Sequence, residues 1–488
     1  MLNRKLSRRS AIKAGAVTTG LVGGAGLAAP LLAPAAAADT VAAAVSATTP
    51  MFAVPLTVPP VLRPTAVSAT TDYYSVTMKK AVKEIIPGLQ SEVHTYNGEF
   101  PGPTIKARSG RRVVVTQTNE LDMPASVHLH GAEVPMDSDG SPMNTIAPGG
   151  TKTYTYPNNQ PGSPLWLHDH AHHAESEHVY RGLQAMYLLS DENDRAQPLP
   201  SGAYDIPLVI RDVQIDTTGQ LVYTMGDFNN RTTILVNGRP WPFLQVAARQ
   251  YRFRILNASS LRFFVFGLSD GGSFTQIGSD GGLLEKPYTT STLKLSPGER
   301  ADIVVDFSRY ETGTKIVLQN ANGPGPADLI GKIMRFDVVR EARDFSYVPS
   351  RLRTLPTPEI ATVNRTFVLR MEDDGRPNPN AYINDQLYDP DRIDTEIAWG
   401  STEVWTVTNA NVKAPHNFHV HLVQFRVLER NGKAPDPSEQ GLKDTVAVLP
   451  GETVKIQMTF DSYRGTYLYH CHMFDHGAMG MMGTMRIS

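Results

Sequence analysis

The sequence predicts an all-β protein made of three consecutive β-sandwich domains. Short runs of Val, Ile, Thr, Tyr and Phe alternate with Gly, Pro, Asn and Asp, as around Lys315–Leu318 and Phe367–Arg370. Runs of this kind, broken by turn residues, are typical of antiparallel strands in a sandwich or barrel. No long stretch has the apolar spacing of an amphipathic helix.

The chain also repeats itself three times. In each repeat a turn with Asn and Gly or Asp precedes a β-rich run, and the turns are Asn97–Gly98, Asn237–Gly238 and Asn384–Asp385. A Pro-Gly pair follows each run, and the pairs are Pro148–Gly149, Pro297–Gly298 and Pro450–Gly451. Because the pairs recur at a spacing of about 150 residues, each repeat predicts one domain of the same fold.

Proline-bearing linkers near Gln197–Pro200 and Leu355–Pro358 separate the repeats. The predicted ranges are a signal peptide over 1–38, an extended leader over 39–71, and domains over 72–196, 203–345 and 362–488.

The first 38 residues differ in kind from the rest. A basic start precedes a weakly apolar, Ala- and Gly-rich stretch, and Ala35–Ala38 supplies an Ala-x-Ala-type cleavage site. Ser7–Lys13 resembles a twin-arginine signal, so we expect an exported protein, whether extracellular, cell-wall or periplasmic. A membrane anchor is the alternative, which the short and diluted apolar stretch disfavours. No later segment is long and apolar enough to span a bilayer.

Composition and charge narrow the function classes. The chain has 488 residues, 41% hydrophobic and 19% charged, as in soluble multidomain proteins. A formal net charge of -2 argues against nucleic acid or an anionic membrane as the main partner. The single cysteine, Cys471, has no partner for an internal disulfide. Metal coordination would protect such a thiol in an oxidising compartment.

The histidines cluster in His-x-His pairs. The pairs are His128/His130, His168/His170, His170/His172, His419/His421 and His470/His472. Random placement of the 14 histidines would give roughly 0.4 such pairs. Side chains two apart on a strand point to the same side, so each pair offers two metal ligands. Coincidental surface or core histidines are the alternative, which four separated clusters disfavour.

The segment His470–His472 carries the most weight. On a strand, Cys471 would point one way and both flanking histidines the other, so two metal sites would be joined by a few covalent bonds. His416, Cys471 and His476, with Met481 as a weak axial ligand, match an electron-transfer copper site. Zinc prefers a closed tetrahedron and does not exchange electrons. The remaining histidines of the blocks suit imidazole-bound copper.

These blocks resemble the multicopper oxidase family, above all bacterial three-domain laccases of the spore-coat type and bilirubin oxidases. The matching blocks are His128–Gly131, Trp166–Ala171, His416–His421, and His470–His472 with His476 and Met481. The resemblance implies cupredoxin-like Greek-key domains, four copper ions, a small aromatic reductant and O2 as electron acceptor.

The resemblance also implies a role for each ligand. His416, Cys471, His476 and Met481 would hold a type 1 copper that accepts electrons from the reductant. The ligands of the type 2 copper would be His128 and His419, and those of the type 3 pair would be His130, His168, His170, His421, His470 and His472. The middle repeat, from Asp205 to Asp344, contains no histidine. Its implied role is to space the other domains and to shape the substrate pocket.

The resemblance implies one acid that delivers protons, Asp139, while a second acid that is common in the family is missing. Asp139 occupies the place of a family acid near the type 2 copper, although Asp137–Gly140 is also a good turn. Family members often carry a glutamate where this chain has Gly477. Strand alternation would direct Asp475 elsewhere, so we expect slower proton delivery or delivery by Asp139 alone. Asp444 resembles a family position near the type 1 site.

Several residues and functions stay open. His94, His172, His173 and His178 are interpreted as surface or solvated histidines, and the methionines around Cys471 as packing. An axial methionine favours a modest type 1 potential, so phenols, aromatic amines or bilirubin-like pigments are the expected reductants. The alternatives are a metallo-oxidase acting on Cu(I), Mn(II) or Fe(II), a copper-storage protein without turnover, and a zinc hydrolase.

Overall fold

Each repeat folds into two β-sheets that face each other across an apolar core. The computed structural model describes residues 49–488 except residues 228, 322, 324 and 377. The predicted signal peptide and the start of the predicted leader therefore lie outside the described residues. The prediction of an all-β protein with three β-sandwich domains is confirmed.

In the first repeat one sheet has the order β1-β2-β5-β7, with β3 also on β2, and the other has the order β4-β9-β8-β6. Its elements are β1 (Ala66–Val67), β2 (Thr71–Lys83), β3 (Ser91–Tyr96), β4 (Ile105–Arg108), β5 (Arg112–Asn119), β6 (Val127–His130), the 3-10 turn Met136–Ser138, β7 (Thr151–Tyr156), β8 (Ser163–Asp169), α1 (Glu175–Arg181), β9 (Gln184–Ser190) and α2 (Glu192–Ala196).

In the second repeat the sheets have the orders β12-β11-β10-β14-β19-β16-β17 and β13-β21-β20-β15-β18. Its elements are the 3-10 turn Gly202–Tyr204, β10 (Asp205–Val213), β11 (Thr233–Val236), β12 (Arg239–Pro240), β13 (Phe243–Ala248), β14 (Gln250–Asn257), β15 (Phe264–Leu268), β16 (Phe274–Ser279), β17 (Gly282–Thr290), β18 (Leu293–Leu295), β19 (Arg300–Asp306), the 3-10 turn Phe307–Arg309, β20 (Lys315–Asn320), α3 (Ala327–Ile330) and β21 (Lys332–Glu341).

In the third repeat the sheets have the orders β23-β22-β25-β29-β27 and β24-β31-β30-β26-β28. Its elements are β22 (Val363–Met371), β23 (Ala381–Ile383), β24 (Thr395–Ile397), β25 (Thr402–Asn409), β26 (His416–Val420), β27 (Arg426–Arg430), the 3-10 turn Pro437–Glu439, β28 (Thr445–Val448), β29 (Thr453–Thr459), β30 (Gly465–His470), α4 (Phe474–Ala478) and β31 (Met482–Ile487).

The repeats share their strand pairing. β2 runs parallel to β5, β10 to β14, and β22 to β25, and each of these pairs continues into an antiparallel strand. The sequence pattern predicted antiparallel strands, and the structure adds these parallel pairs. Greek-key crossovers between two sheets place some neighbouring strands in the same direction.

Alternating side chains explain why these segments form strands. From Val113 in β5 and from Glu403 in β25, every second residue is buried while the residues between are partly exposed. The third core closes around Trp405, whose ring centroid lies 4.5 Å from that of Phe367. Burial of side chains of this size stabilises the fold by about 1.5–3 kcal/mol each.

The described part of the leader ties two repeats together. Pro55 bridges to Phe243 in the second repeat, and Val61 bridges to Thr104 in the first. The described residues pack as one unit, so the exact domain boundaries stay predictions. Among the described residues, no helix has the length and apolar character that a membrane crossing requires.

Candidate metal centres

Two pairs of strands carry the histidine blocks. β6 and β8 are antiparallel in the first repeat, and His128 lies opposite His168. β26 and β30 are antiparallel in the third repeat, and His419 lies opposite His470. Alternate residues of a strand point to one face, so His130 lies beside His128 in β6. His170, His421 and His472 follow just beyond the ends of β8, β26 and β30.

Eight histidines from the first and third repeats converge on one buried cluster. Each has at most 3% of its surface exposed. Their ring nitrogens form three groups, within which all candidate ligand atoms lie within 4.8 Å of one another. The groups are His128/His130/His419, His130/His168/His472 and His170/His421/His470. The sequence analysis assigned the same eight residues to the type 2 and type 3 sites.

Hydrogen bonds on the outside of the cluster decide which ring nitrogens face inward. His470 Nδ1 donates to the Cys471 carbonyl at 3.0 Å, and His168 Nδ1 donates to the Asp169 carbonyl at 2.8 Å. His130 is reversed, because its Nε2 donates to the Asp444 carboxylate at 2.8 Å. A neutral imidazole has one N–H, so the inner nitrogen of each of these rings presents a lone pair.

The inward lone pairs fit a set of metal ions. His421 Nε2 and His470 Nε2 lie 3.1 Å apart although both rings donate from Nδ1, so no proton bridges them. His128 Nε2, His130 Nδ1 and His419 Nε2 are buried without a hydrogen-bond partner. Burial holds the pKa of His130 and of His419 well below the usual value, which keeps both rings neutral. Neutral imidazoles with orphaned nitrogens are suitable copper ligands.

A second site lies on the other side of Cys471. Its Sγ is 3.9 Å from His416 Nδ1 and 3.7 Å from His476 Nδ1, and these two nitrogens are 3.0 Å apart. His416 Nε2 donates to Asn411 Oδ1 at 2.9 Å, which leaves Nδ1 free to bind a metal. Met481 is buried in the same core, and its carbonyl accepts from the Cys471 N–H at 3.0 Å.

The Cys471 thiol must lose its proton before it can bind a metal. Burial raises the pKa of the Cys471 thiol to about 12, so a thiolate forms there only with a positive charge beside it. A His2Cys set with a nearby methionine is the ligand set of electron-transfer copper. The two residues that flank Cys471 in the chain, His470 and His472, belong to two different groups of the histidine cluster. The two sites are therefore joined by a few covalent bonds, although β30 ends at His470 rather than continuing through Cys471.

Asp139 lies between the cluster and the turn in which the sequence placed it. It ends the 3-10 turn Met136–Ser138, and its Oδ2 accepts from His421 Nδ1 at 2.8 Å. Oδ1 has no hydrogen-bond partner and lies 3.5 Å from His128 Nδ1. Burial would raise the pKa of Asp139, but the electrostatic effect of His421 and His128 and the hydrogen bond from His421 outweigh burial and hold the pKa below its usual range.

Asp444 lies elsewhere than expected. The sequence analysis placed it near the type 1 site, whereas its carboxylate accepts from His130 Nε2 at 2.8 Å and its backbone carbonyl accepts from His419 Nδ1 at 2.8 Å. The expected location is wrong because β28 pairs with β26 and places Asp444 behind the histidine cluster.

Asp475 lies on a helix and not on the strand that the sequence predicted. Residues 474–478 form helix α4, so strand alternation does not apply. The Asp475 carboxylate accepts from Arg231 at 3.0 Å and from the Gly226 N–H at 2.9 Å, and the Ser176 hydroxyl also donates to it. Asp475 is held in an ion pair with the middle repeat.

Gly477→Glu is expected to raise turnover at neutral pH. The position is helical, and an added Cβ meets only the Cys471 carbonyl, at an ordinary contact distance of 3.4 Å, so the first atom of a side chain is tolerated there. A carboxyl there adds a proton donor, and we expect O2 uptake to rise about twofold or more, against the ~100-fold effect of a fully positioned acid. Gly477→Gln is the control of equal size. Equal rates for both variants, with O2 reduction rate-limiting, would count against the prediction.

Two histidines that were interpreted as solvated are buried. His178 is 1% exposed in α1, where its Nδ1 lies 3.1 Å from Asp169 Oδ2. His94 is 6% exposed, and burial lowers its pKa to about 3. The interpretation of both residues as solvated was wrong because β3 and α1 pack together, which places the ring centroids of His94 and His178 5.2 Å apart. His172 is half-buried and His173 is exposed, and their ring centroids lie 3.7 Å apart with the rings tilted by 32°.

Sequence reasoning missed Glu175. This residue begins α1, is 3% exposed, and has no hydrogen-bond partner on either carboxyl oxygen. Burial, with the charges of Asp169 and Asp475, raises its pKa to about 8. No motif marks such a residue, because its state depends on packing between α1, α4 and the loop that carries Tyr388.

Glu175 should make the protein less stable as pH rises. The unfolded chain ionises this carboxyl near pH 4.5, whereas the folded protein keeps it neutral up to about pH 8. Between these values the unfolded state binds fewer protons, so the free energy of unfolding falls by up to about 1.4 kcal/mol per pH unit. In Glu175→Gln, urea unfolding at pH 5 and pH 8 should show a smaller loss of stability. An identical loss in both proteins contradicts the prediction.

A cavity of about 610 Å³ opens beside the Cys471 site. His476 reaches its wall, and the other lining residues are mainly apolar or sulfur-bearing. They include Leu261 and Phe263 from the middle repeat, and Met371, Met473 and Met479 from the third. The predicted role of the middle repeat in shaping a pocket is consistent with this lining.

Three β-sandwich domains with a Cys/His site joined to an all-histidine cluster define a class of multidomain redox metalloproteins. Comparison with known proteins narrows the class. Residues 77–194, 190–320 and 358–488 each match a family model described as multicopper oxidase. The chain belongs to the multicopper oxidase family, as its blocks predicted, and is a copper-dependent oxidoreductase that uses O2.

Individual relatives cover most of the chain. A laccase of Bacillus subtilis is 34% identical over 89% of this chain and 98% of its own length. A bilirubin oxidase of Albifimbria verrucaria is 37% identical over 89% of this chain and 80% of its own length. The crystal structure of a laccase from Pediococcus acidilactici superposes with a TM-score of 0.84, at 32% identity, over 91% of this chain and 95% of that one. A metallo-oxidase from Campylobacter jejuni gives 0.79 at 25% identity, over 90% and 96%.

Proposed function

We propose that this enzyme oxidises phenols, aromatic amines or bilirubin-like pigments one electron at a time and reduces O2 to water. The observation that carries the proposal is the position of Cys471 between two histidines of the buried cluster, with His476 at the wall of an apolar cavity. An aromatic donor in that cavity would lie against a ligand of the Cys471 site. The relatives named laccase and bilirubin oxidase support this substrate class.

We propose that each chain binds four copper ions. His416, Cys471 and His476, with Met481 as axial ligand, would hold one ion, and His128 and His419 would hold a second. Two further ions would be held by His130, His168 and His472, and by His170, His421 and His470. When bound, copper supplies one-electron redox chemistry at the first site and O2 reduction at the cluster. The histidines of the cluster are at most 3% exposed, which keeps bulk water away from the cluster, and Asp139 would hold His421 in place and supply protons there.

Copper analysis combined with a visible spectrum and O2 uptake tests this proposal. The copper-loaded protein should contain four copper ions per chain, turn blue and consume O2 with a phenol, an aromatic amine and bilirubin. A fully loaded protein that consumes no O2 with any donor would instead be a copper-storage protein. A colourless, zinc-selective protein would overturn the copper assignment.

A metallo-oxidase acting on Cu(I), Mn(II) or Fe(II) is the second candidate. Met371, Met473 and Met479 line the cavity beside His476, and thioethers are ligands for Cu(I). The structural neighbour described as a metallo-oxidase supports this candidate. Comparing kcat/KM for a phenol and for each ion separates the two functions. Met371→Leu should lower the rate with Cu(I) alone if the ion binds there.

We also propose that the protein is exported by the twin-arginine route. The basic start, the diluted apolar stretch and Ala35–Ala38 support this. Export of a folded protein would allow copper to be loaded beforehand. Arg8→Lys with Arg9→Lys should retain the protein in the producing cell, and N-terminal sequencing of the exported protein should place cleavage near Asp39.

A further inference from the structure

The middle repeat has no histidine, yet one of its turns lies directly behind both metal sites. The turn Ser296–Arg300 follows β18, ends on the first residue of β19 and contains the Pro-Gly pair that marks this repeat. The turn is closed on itself, because the Glu299 N–H donates to the Ser296 carbonyl at 3.1 Å and the Glu299 carboxylate accepts from the Ser296 N–H.

Arg300, the last residue of the turn, makes the hydrogen bonds that connect the turn to the other two repeats. Its side chain is fully buried and every guanidinium N–H group has an acceptor. Nε donates to the carbonyl of Pro164 on β8, the strand that carries His168, at 2.8 Å. Nη1 and Nη2 donate to the two carboxylate oxygens of Asp444 at 2.7 and 2.6 Å, and they also donate to the carbonyls of Gly298 and Asp280. One guanidinium thus joins strands or loops of all three repeats.

Asp444 connects Arg300 to the histidine cluster through hydrogen bonds. Held by Arg300, its Oδ1 accepts from His130 Nε2 at 2.8 Å, and this hydrogen bond leaves His130 Nδ1 facing inward. Gln424 donates to Oδ2 at 3.0 Å and Thr445 donates to Oδ1 at 2.9 Å. The carboxylate therefore has no freedom to rotate away, and His130 keeps the tautomer that a metal ligand requires.

The other residues of the turn support the metal sites from the same side. A Cβ at Gly298, which has a φ of +86°, would lie 2.7 Å from His472 Nδ1, so only glycine allows this approach. The Pro297 carbonyl accepts from Asn417 Nδ2 at 2.7 Å. Asn417 Oδ1 in turn accepts from the His472 N–H at 2.7 Å and lies 3.4 Å from Cys471 Sγ.

We propose that Ser296–Arg300 is a positioning element for the copper sites, in which Arg300 fixes Asp444 and Asp444 sets the orientation and tautomer of His130. The proposal rests on the ligand set given above under the proposed function. It assigns the middle repeat a direct part in metal binding beyond spacing and pocket shape. A buried ion pair by itself is weak evidence for a stabilising role. The specific contact with His130 is what predicts an effect on metal binding.

Arg300→Met, Arg300→Lys and the control Arg252→Met test the proposal. Arg252 is also a buried arginine of the middle repeat, paired with Asp302 of β19 and with Asp194 of the first repeat, but neither partner is hydrogen-bonded to a residue of the metal sites. Loss of orientation behind a metal ligand lowers metal affinity or activity by about 10–100-fold. Arg300→Met should therefore bind fewer copper ions per chain, show an altered electron paramagnetic resonance spectrum of the copper outside the blue site, and lose kcat by a similar factor.

Arg300→Lys should recover part of the copper content, since one ammonium can still pair with Asp444. Arg252→Met should lose thermal stability but keep the copper content and spectrum of the wild type. Full copper content with an unchanged spectrum in Arg300→Met would overturn the proposal, and so would equal copper loss in Arg252→Met. If Arg300→Met does not fold, Asp444→Asn replaces it, with the same expected loss and the same overturning result. A wild-type protein that binds no copper refutes the proposed function instead.

Discussion

Cys471→Ser should remove the blue colour and stop turnover. Serine keeps the size of the side chain, but its hydroxyl is not a copper ligand that transfers electrons. The thiol is 0% exposed and lies near both His416 and His476, and the backbone of Cys471 joins it directly to His470 and His472 of the histidine cluster. O2 uptake with a phenol should fall by more than about 1,000-fold, as for a group through which all turnover passes. Copper analysis should show the loss of one ion per chain.

Met485→Leu is a matched control for Cys471→Ser. Met485 is equally buried in the same core, and exchange of methionine for leucine conserves volume at a cost below about 1.5 kcal/mol. This variant should keep the blue band and the wild-type rate. A Cys471→Ser protein that remains blue, or that oxidises phenols at the rate of the control, would contradict the assignment of the electron-accepting site.

The candidate ligands could be predicted because each block is local in sequence. His-x-His spacing brings two imidazoles close together on a strand or just beyond its end, and the structure gathers the eight histidines of these blocks into one cluster beside the Cys471 site. Repeated turns and Pro-Gly pairs likewise predicted three domains of one fold. Domain pairing then followed from ligands located at opposite ends of the chain.

The residues that hold the metal ligands in place could not be predicted, because their contacts join residues far apart in the sequence. Arg300 lies 144 positions from Asp444, and Asp444 lies 314 positions from His130, so no local pattern connects them. Glu175 and His178 lie on a short helix whose burial depends on packing against other elements. Asp475 was misplaced because the helix Phe474–Ala478 is too short to show an apolar period.

Asp139→Asn should slow O2 reduction without removing copper. Asparagine keeps the shape, and its Oδ1 can still accept from His421 Nδ1, so ligand orientation is largely retained. What is lost is a buried carboxylate that can take up a proton and hand it to the cluster. A positioned group of this kind contributes about 100-fold or more, so kcat should fall by roughly that factor while copper content and blue colour stay unchanged.

Asp137→Asn provides the control for Asp139→Asn, because Asp137 lies in the same turn but is exposed to solvent. Both exchanges remove one negative charge from the turn, so a general charge or turn effect would slow both variants equally. Proton delivery by Asp139 predicts that only its variant is slow, with a normal hydrogen isotope effect on O2 uptake in heavy water. If Asp139→Asn turns over as fast as the Asp137 control when O2 reduction is rate-limiting, then Asp139 serves only to end the turn and to hold His421.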